Sequence, residues 1–322
     1  MKRVAVLGAG AWGTAIASVL AARLEVTLWA RDPAQAQALE RTRRNERYLP
    51  GVAIPPGVGI TAAFPSADLL LAATPVAGLR EVAARAGGSL PLVWLCKGFE
   101  QGTGLLPHQV VEQTLGTAAR CGALSGPSFA AEVARGLPCA LTLASRDEAF
   151  AREAAALVHG GRLRVYYSAD LVGVEIGGAV KNVMAIAAGI SDGLGLGHNA
   201  RAALITRGLA EIARLGTALG GRSETIFGLT GAGDLILTAT GDLSRNRRVG
   251  FQLAQGAPLQ QILENLGHVA EGVYTAKEVA KLAKVRGVDM PVTAAVNDVL
   301  EGRLTPKAAV EQLLARDLKS ER

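Results

Sequence analysis

A chain of 322 residues, 49% hydrophobic and 19% charged, has the length for about two domains of roughly 150 residues and for a buried core, which excludes a disulfide-held mini-protein and a disordered chain. Three cysteines, Cys96, Cys121 and Cys139, form an odd set without a CxxC pair, which points to a reducing, cytoplasmic setting rather than a disulfide framework. The net charge of +6 suits an anionic ligand, while the 4% aromatic content and scattered basic residues leave no stacking platform for nucleic acid.

In chain order, apolar runs at residues 3–7, 25–30, 68–73, 92–95, 123–125, 140–144 and 163–167 read as strands. They alternate with helical patterns at 11–22, 76–86 and 147–159, which predicts a doubly wound α/β domain around a parallel sheet. After Tyr167 the period becomes helical throughout. Val172, Ile176, Val180 and Val183 form one stripe, followed by helices near 201–219, 276–283 and 306–314. The boundary falls near 168–171, giving a dinucleotide-binding domain over 1–169 and an all-α substrate domain over 170–322. No charge-free run is long enough to span a bilayer, and the glycine-interrupted start MKRVAVLGAG does not read as a signal peptide.

The strongest local signal is GAGAWG. Gly8, Gly10 and Gly13 follow a strand and open a helix beginning at Ala11. In that context the first glycine allows the tight turn, the second lets a pyrophosphate approach the backbone, and the third lets the helix pack closely. At the end of the next strand stand Arg31 and Asp32. Arg31 suits the 2′-phosphate of NADP or a solvated surface position. Asp32 suits either the ribose of NAD or an N-cap before Pro33.

Only eight of the 34 basic residues are lysines, so a lysine among glycines and apolar residues stands out. Lys97, in WLCKGFE, follows a strand at the sheet's carboxyl edge, where ligands of open α/β folds bind. Gly126 and Ser128, in SGPSF, follow another strand; Ser128 serves either that crevice or an N-cap. Lys181, in EIGGAVKN, leans back over Gly177 and Gly178, which leave room for a ligand or for close helix contact. A desolvated amine there can exchange a proton with a carbonyl or alkoxide oxygen, with Asn182 orienting it. Asp234 caps a helix or pairs with Lys181. Ser244, Arg245 and Asn246 form either an anion clamp at a helix start or an N-cap with a solvated basic face. His108, His159, His198 and His268 lack ligand spacing, so no metal site is assigned.

Together GAGAWGT, CKGFE, SGPSFAAEV, GGAVKN, GLTGAGDLILT, SRNRRVG and VAEGVYTA resemble the bacterial type of NAD(P)-dependent glycerol-3-phosphate dehydrogenase, over nearly the whole chain. The resemblance implies a Rossmann-like domain followed by a helical domain, a homodimer, and reversible reduction of dihydroxyacetone phosphate to sn-glycerol 3-phosphate for phospholipid synthesis. By resemblance Lys181 is the general acid/base. Lys97, Gly126, Ser128, Asp234, Ser244, Arg245 and Asn246 match substrate positions, and Trp12, Arg31, Lys97, Ala130, Arg245, Val269 and Glu271 match cofactor positions. Glu271 otherwise reads as a first-turn helix acid. The rival readings are a ketopantoate reductase-like enzyme and a non-enzymatic NADP sensor.

Overall fold

The computed structural model describes residues 2–266 and 270–317. Two units are resolved, Met1–Glu175 and Ile176–Arg322. In the first, the strands are β1 (Arg3–Leu7), β2 (Glu25–Trp29), β3 (Arg44–Asn45), β4 (Leu49–Ala53), β5 (Val58–Thr61), β6 (Leu69–Ala72), β7 (Leu92–Trp94), β8 (Cys121–Ser125), β9 (Cys139–Ala144) and β10 (Leu163–Ser168). The helices between them are α1 (Ala11–Leu20), α2 (Pro33–Thr42), α3 (Val76–Ala86), α4 (Pro107–Leu115), α5 (Ala130–Ala134) and α6 (Glu148–Val158).

Eight strands form one sheet in the order β10-β9-β8-β7-β6-β1-β2-β5. The six strands from β5 to β8 are parallel and step outward in both directions from β1, so the chain reverses its winding between β1 and β6. Open α/β sheets bind ligands at such a switch, beyond the strands' carboxyl ends. Alternation divides the core. Val4 and Val6 pack on the face of α1, while Ala5 and Leu7 pack with Leu79, Val82 and Val110 on the face of α3 and α4.

The expected all-parallel sheet needs one correction: β9 is antiparallel to β8, with Ala123 opposite Ala144. The connection over 126–138 holds only the five-residue α5 rather than a full crossover helix, and the chain re-enters at the same edge. Strands β3, β4 and β5 have no clear signature in the sequence. Pro50, Gly51, Pro55 and Pro56 interrupt any period of two there.

The second unit is helical, with its first long helix, α7 (Leu171–Gly193), beginning in the first unit. It continues through α8 (Gly197–Ala218), α9 (Ser223–Ile226), a five-residue π-turn (Leu229–Gly233), α10 (Asp234–Thr240), α11 (Arg245–Ala254), α12 (Leu259–Leu266), α13 (Glu271–Arg286), α14 (Pro291–Leu300) and α15 (Pro306–Leu314). The single stripe expected on α7 is too narrow. Residues 173–191 are buried all round, Glu175 and Lys181 included, which makes α7 a central rod. α7 is long and apolar enough to cross a membrane, but 94% of its most apolar window is buried within the protein.

Buried Glu211 on α8 accepts hydrogen bonds from the backbone N–H groups of Val292 (2.6 Å) and Thr293 (3.0 Å) and from the Thr293 hydroxyl (2.9 Å), so it closes the start of α14. Burial raises its pKa above the ordinary carboxyl value despite these donors. With the folded value raised, the folded state binds the proton more tightly than the unfolded chain. This contribution to stability is therefore complete below the unfolded value and is lost as pH rises through the folded one. Urea unfolding should show wild type gaining stability relative to Glu211→Gln as pH falls from 7 toward 5. A pH-independent difference would contradict the assignment.

Candidate active site: a glycine cradle and a buried lysine

In the first unit the chain leaves β1 at Gly8, whose φ of +120° favours glycine. A Cβ on Gly13 would lie 1.9 Å from the Gly8 carbonyl oxygen, whereas one on Gly10 would meet nothing within 4 Å. The crowded pair locks helix to turn, and the open position leaves backbone accessible. Gly10 caps α1 without a side chain, so the N–H groups at Ala11, Trp12 and Gly13 have no side-chain acceptor. That is the cradle a pyrophosphate requires, and it fits a dinucleotide. Two amides the sequence reading missed hold the turn: Asn45 Nδ2 and Gln35 Nε2 each donate to the Ala9 carbonyl at 3.0 Å. Asn45 sits among Arg41, Arg43, Arg44 and Arg47, where the charge pattern hid it.

At the end of β2, Asp32 takes the capping alternative, accepting from Ala34 N–H at 2.9 Å. Arg31 is exposed and pairs with Glu81 at 3.3 Å. At the carboxyl edge Lys97 follows β7, and its Nζ donates to the Gly126 carbonyl at 3.0 Å. The Ser128 hydroxyl donates to the same oxygen at 3.1 Å. Phe129, not Ser128, caps α5, which begins at half-buried Ala130. Gly126 has φ +142°, and a Cβ there would lie 3.0 Å from the Ala140 carbonyl oxygen, so this bend needs glycine. Ser125 Oγ is buried without a hydrogen-bond partner.

In the second unit Lys181 is 7% exposed, and its Nζ donates to Asp234 Oδ1 at 2.7 Å and to Thr238 Oγ1 at 2.9 Å. Asp234 thus takes the pairing alternative. Its carboxylate stabilises an ammonium that burial alone would disfavour. The room at Gly177 is not a ligand space: a Cβ there would lie 3.0 Å from the Thr230 carbonyl oxygen and 3.1 Å from Gly231 Cα. The π-turn fills it, and that seating places Asp234 one residue beyond the turn, opposite Lys181. Thr238, which sequence reasoning missed, lies one helical turn after Asp234 and donates to its backbone carbonyl at 2.6 Å.

The Asn182 side chain is engaged with Asn246. Its Oδ1 accepts from Asn246 Nδ2 at 2.9 Å, and Asn246 Oδ1 accepts from Gly272 N–H at 3.1 Å. The two amides tie α7, α11 and α13 together and bring Glu271, half-buried in the first turn of α13, to the same end. Ser244 caps α11, accepting from Arg247 N–H at 3.2 Å. The solvated basic face needs revising too. Arg247 is held by Asp192 at 2.7 Å and Asp242 at 2.9 Å, which raises its pKa despite partial burial. Arg245, by contrast, is exposed at the helix start and forms no ion pair with the described carboxylates. Val269 and His268 lie outside the described residues. Among the described residues no group of three or more His, Cys, Asp or Glu side chains could hold a metal.

Comparison with known proteins bears on the family and the fold. The family profile for the NAD-dependent glycerol-3-phosphate dehydrogenase N-terminus matches residues 3–151, and that for its C-terminus matches residues 170–311. The chain is 60% identical to glycerol-3-phosphate dehydrogenase [NAD(P)+] of Dechloromonas aromatica over 326 residues, covering 99% of each protein. It is likewise 60% identical to that of Aromatoleum aromaticum over 327 residues, covering 99% of this chain and 100% of the other. The crystal structure of glycerol-3-phosphate dehydrogenase from Coxiella burnetii superposes with a TM-score of 0.91 at 40% identity, over 98% of this chain and 99% of that one. A ketopantoate reductase from Ralstonia eutropha reaches a TM-score of 0.60 at 17% identity, over 96% of this chain and 99% of that one, a likeness of fold alone. With both halves of the profile matched in order, and with the glycine cradle and the paired lysine where the sequence motifs put them, the chain belongs to the NAD-dependent glycerol-3-phosphate dehydrogenase family.

Proposed function

We propose that the chain catalyses the reversible NAD(P)H-dependent reduction of dihydroxyacetone phosphate to sn-glycerol 3-phosphate, for glycerophospholipid synthesis, as a cytoplasmic homodimer. Residues 1–169 bind the dinucleotide, and residues 170–322 carry the substrate and proton-donating functions. The observation that carries the reading is the buried Lys181 amine held by Asp234 and Thr238. A bound nicotinamide supplies the hydride that reduces the ketone carbon.

The chain's own residues do the rest. The uncapped start of α1, with Gly8, Gly10, Ala11, Trp12 and Gly13, takes the pyrophosphate. Arg31 takes the adenosine ribose end, and Ala130, Val269 and Glu271 complete the cofactor contacts. Lys181 gives a proton to the carbonyl oxygen as negative charge grows there, and Asp234 and Thr238 hold the amine in place. Lys97, Gly126 and Ser128 position the triose, while Asn182 and Asn246 fix the helices that carry Lys181 and Arg245. Ser244 and Arg245 hold the phosphate at the start of α11, away from the reacting carbon, so binding energy there fixes orientation.

The deciding assay follows NADPH and NADH oxidation with dihydroxyacetone phosphate and with ketopantoate side by side. Turnover with the phosphorylated ketone alone is expected. Preference for ketopantoate, or no turnover with either, would overturn the reading in favour of the sibling reductase or of a sensor. Replacing Arg245 with alanine should raise KM for dihydroxyacetone phosphate about 10- to 100-fold, the loss of one charge-assisted contact, with a smaller effect on kcat. Equal capture of phosphorylated and unphosphorylated ketones by wild type would count against the clamp.

A further inference from the structure

Arg31, at the end of β2, has a charged partner that the dinucleotide reading does not use. Arg31 Nη1 lies 3.3 Å from Glu81 Oε2, in the second turn of α3. The other carboxylate oxygen of Glu81 lies 3.9 Å from Arg85 Nη1. The Arg85 guanidinium in turn lies 5.0 Å from the ring centroid of Trp29 and 4.9 Å from that of Phe64. Glu81 is thus placed between two guanidinium groups, beside the strand end where parallel dinucleotide folds meet the ribose 2′ position. Asp32 already uses one carboxylate oxygen as the cap of α2, so Arg31 is the residue there with the chemistry to distinguish a phosphate from a hydroxyl.

We propose that Glu81 sets the cofactor preference as the resident counter-ion of Arg31. A 2′-phosphate has to displace the carboxylate from the guanidinium and then remain within reach of its charge. A ribose 2′-hydroxyl leaves the pair intact. Glu81 therefore holds the affinity for NADP below what Arg31 alone would give, and one site accepts both dinucleotides. The inference deepens the cofactor reading and rests on Arg31 lying at the 2′ position. Because the pair is largely exposed, the effect is modest and salt-dependent.

Calorimetric titration of wild type, Glu81→Gln, Arg31→Ala and the double variant with NADPH and NADH tests it, alongside kcat/KM for each cofactor. Glu81→Gln should tighten NADPH binding about three- to tenfold at low salt and change NADH binding less than about twofold. The gain should shrink at high ionic strength and vanish on the Arg31→Ala background. Should Arg31→Ala leave the NADPH/NADH affinity ratio unchanged, Arg31 is not at the 2′ position and the inference falls with that placement. A ratio lowered by Arg31→Ala but unmoved or lowered by Glu81→Gln overturns the role of Glu81 alone. If Glu81→Gln misfolds, Glu81→Ala at the same exposed site gives the same comparison.

Discussion

Lys181→Ala is expected to lower turnover by roughly a hundredfold or more while the dinucleotide still binds, because general acid/base groups contribute about that much and more. The amine donates to Asp234 at 2.7 Å and is 7% exposed, so water cannot readily replace it as proton donor. Truncation also breaks a buried ion pair by removing one partner, which is costly, so stability should fall as well. Cofactor titration separates the two effects: a folded variant that binds NADH but turns over slowly supports the chemical role. An unimpaired turnover number would refute it.

Gly250→Ala should lower stability by about 2–3 kcal/mol, read as a fall of several degrees in Tm, and should reduce activity with it. α7 and α11 cross at a pair of glycines. A Cβ on Gly250 would lie 1.9 Å from the Ile186 carbonyl oxygen, and one on Gly189 would lie 1.9 Å from that of Arg247. Neither obstacle is a flexible side chain, so the helices must separate. The alanine's helix propensity returns only about 1 kcal/mol. Separation would pull Asn246 from Asn182, joined at 2.9 Å, and so shift Arg245 relative to the rod that carries Lys181. A variant with wild-type Tm and KM would show that the crossing tolerates a methyl group and that the argument from close approach is wrong.

Much of this site is legible in the chain because its parts are local. GAGAWG follows β1 and opens α1, and one turn of backbone decides what each glycine does. Helix α3 at Val76–Ala86 and α15 at Pro306–Leu314 have the bounds the apolar period predicts, because each has a simple amphipathic face. The reversal at β9 was not legible, since strand direction depends on whether a connection can span the sheet and not on the strand's own residues.

The sequence by itself determined that a glycine turn would meet a dinucleotide, that an alternating half would precede a helical one, and that Lys181 was a chemically unusual lysine. Only the tertiary structure decided between the alternatives those residues left open. It gave Asp32 to a cap and Asp234 to Lys181, added Thr238, and turned Asn182 toward Asn246. It also filled the space at Gly177 with the π-turn. The reason is physical: a short polar side chain has several partners of similar strength within reach of its backbone, and burial at long sequence separation selects among them.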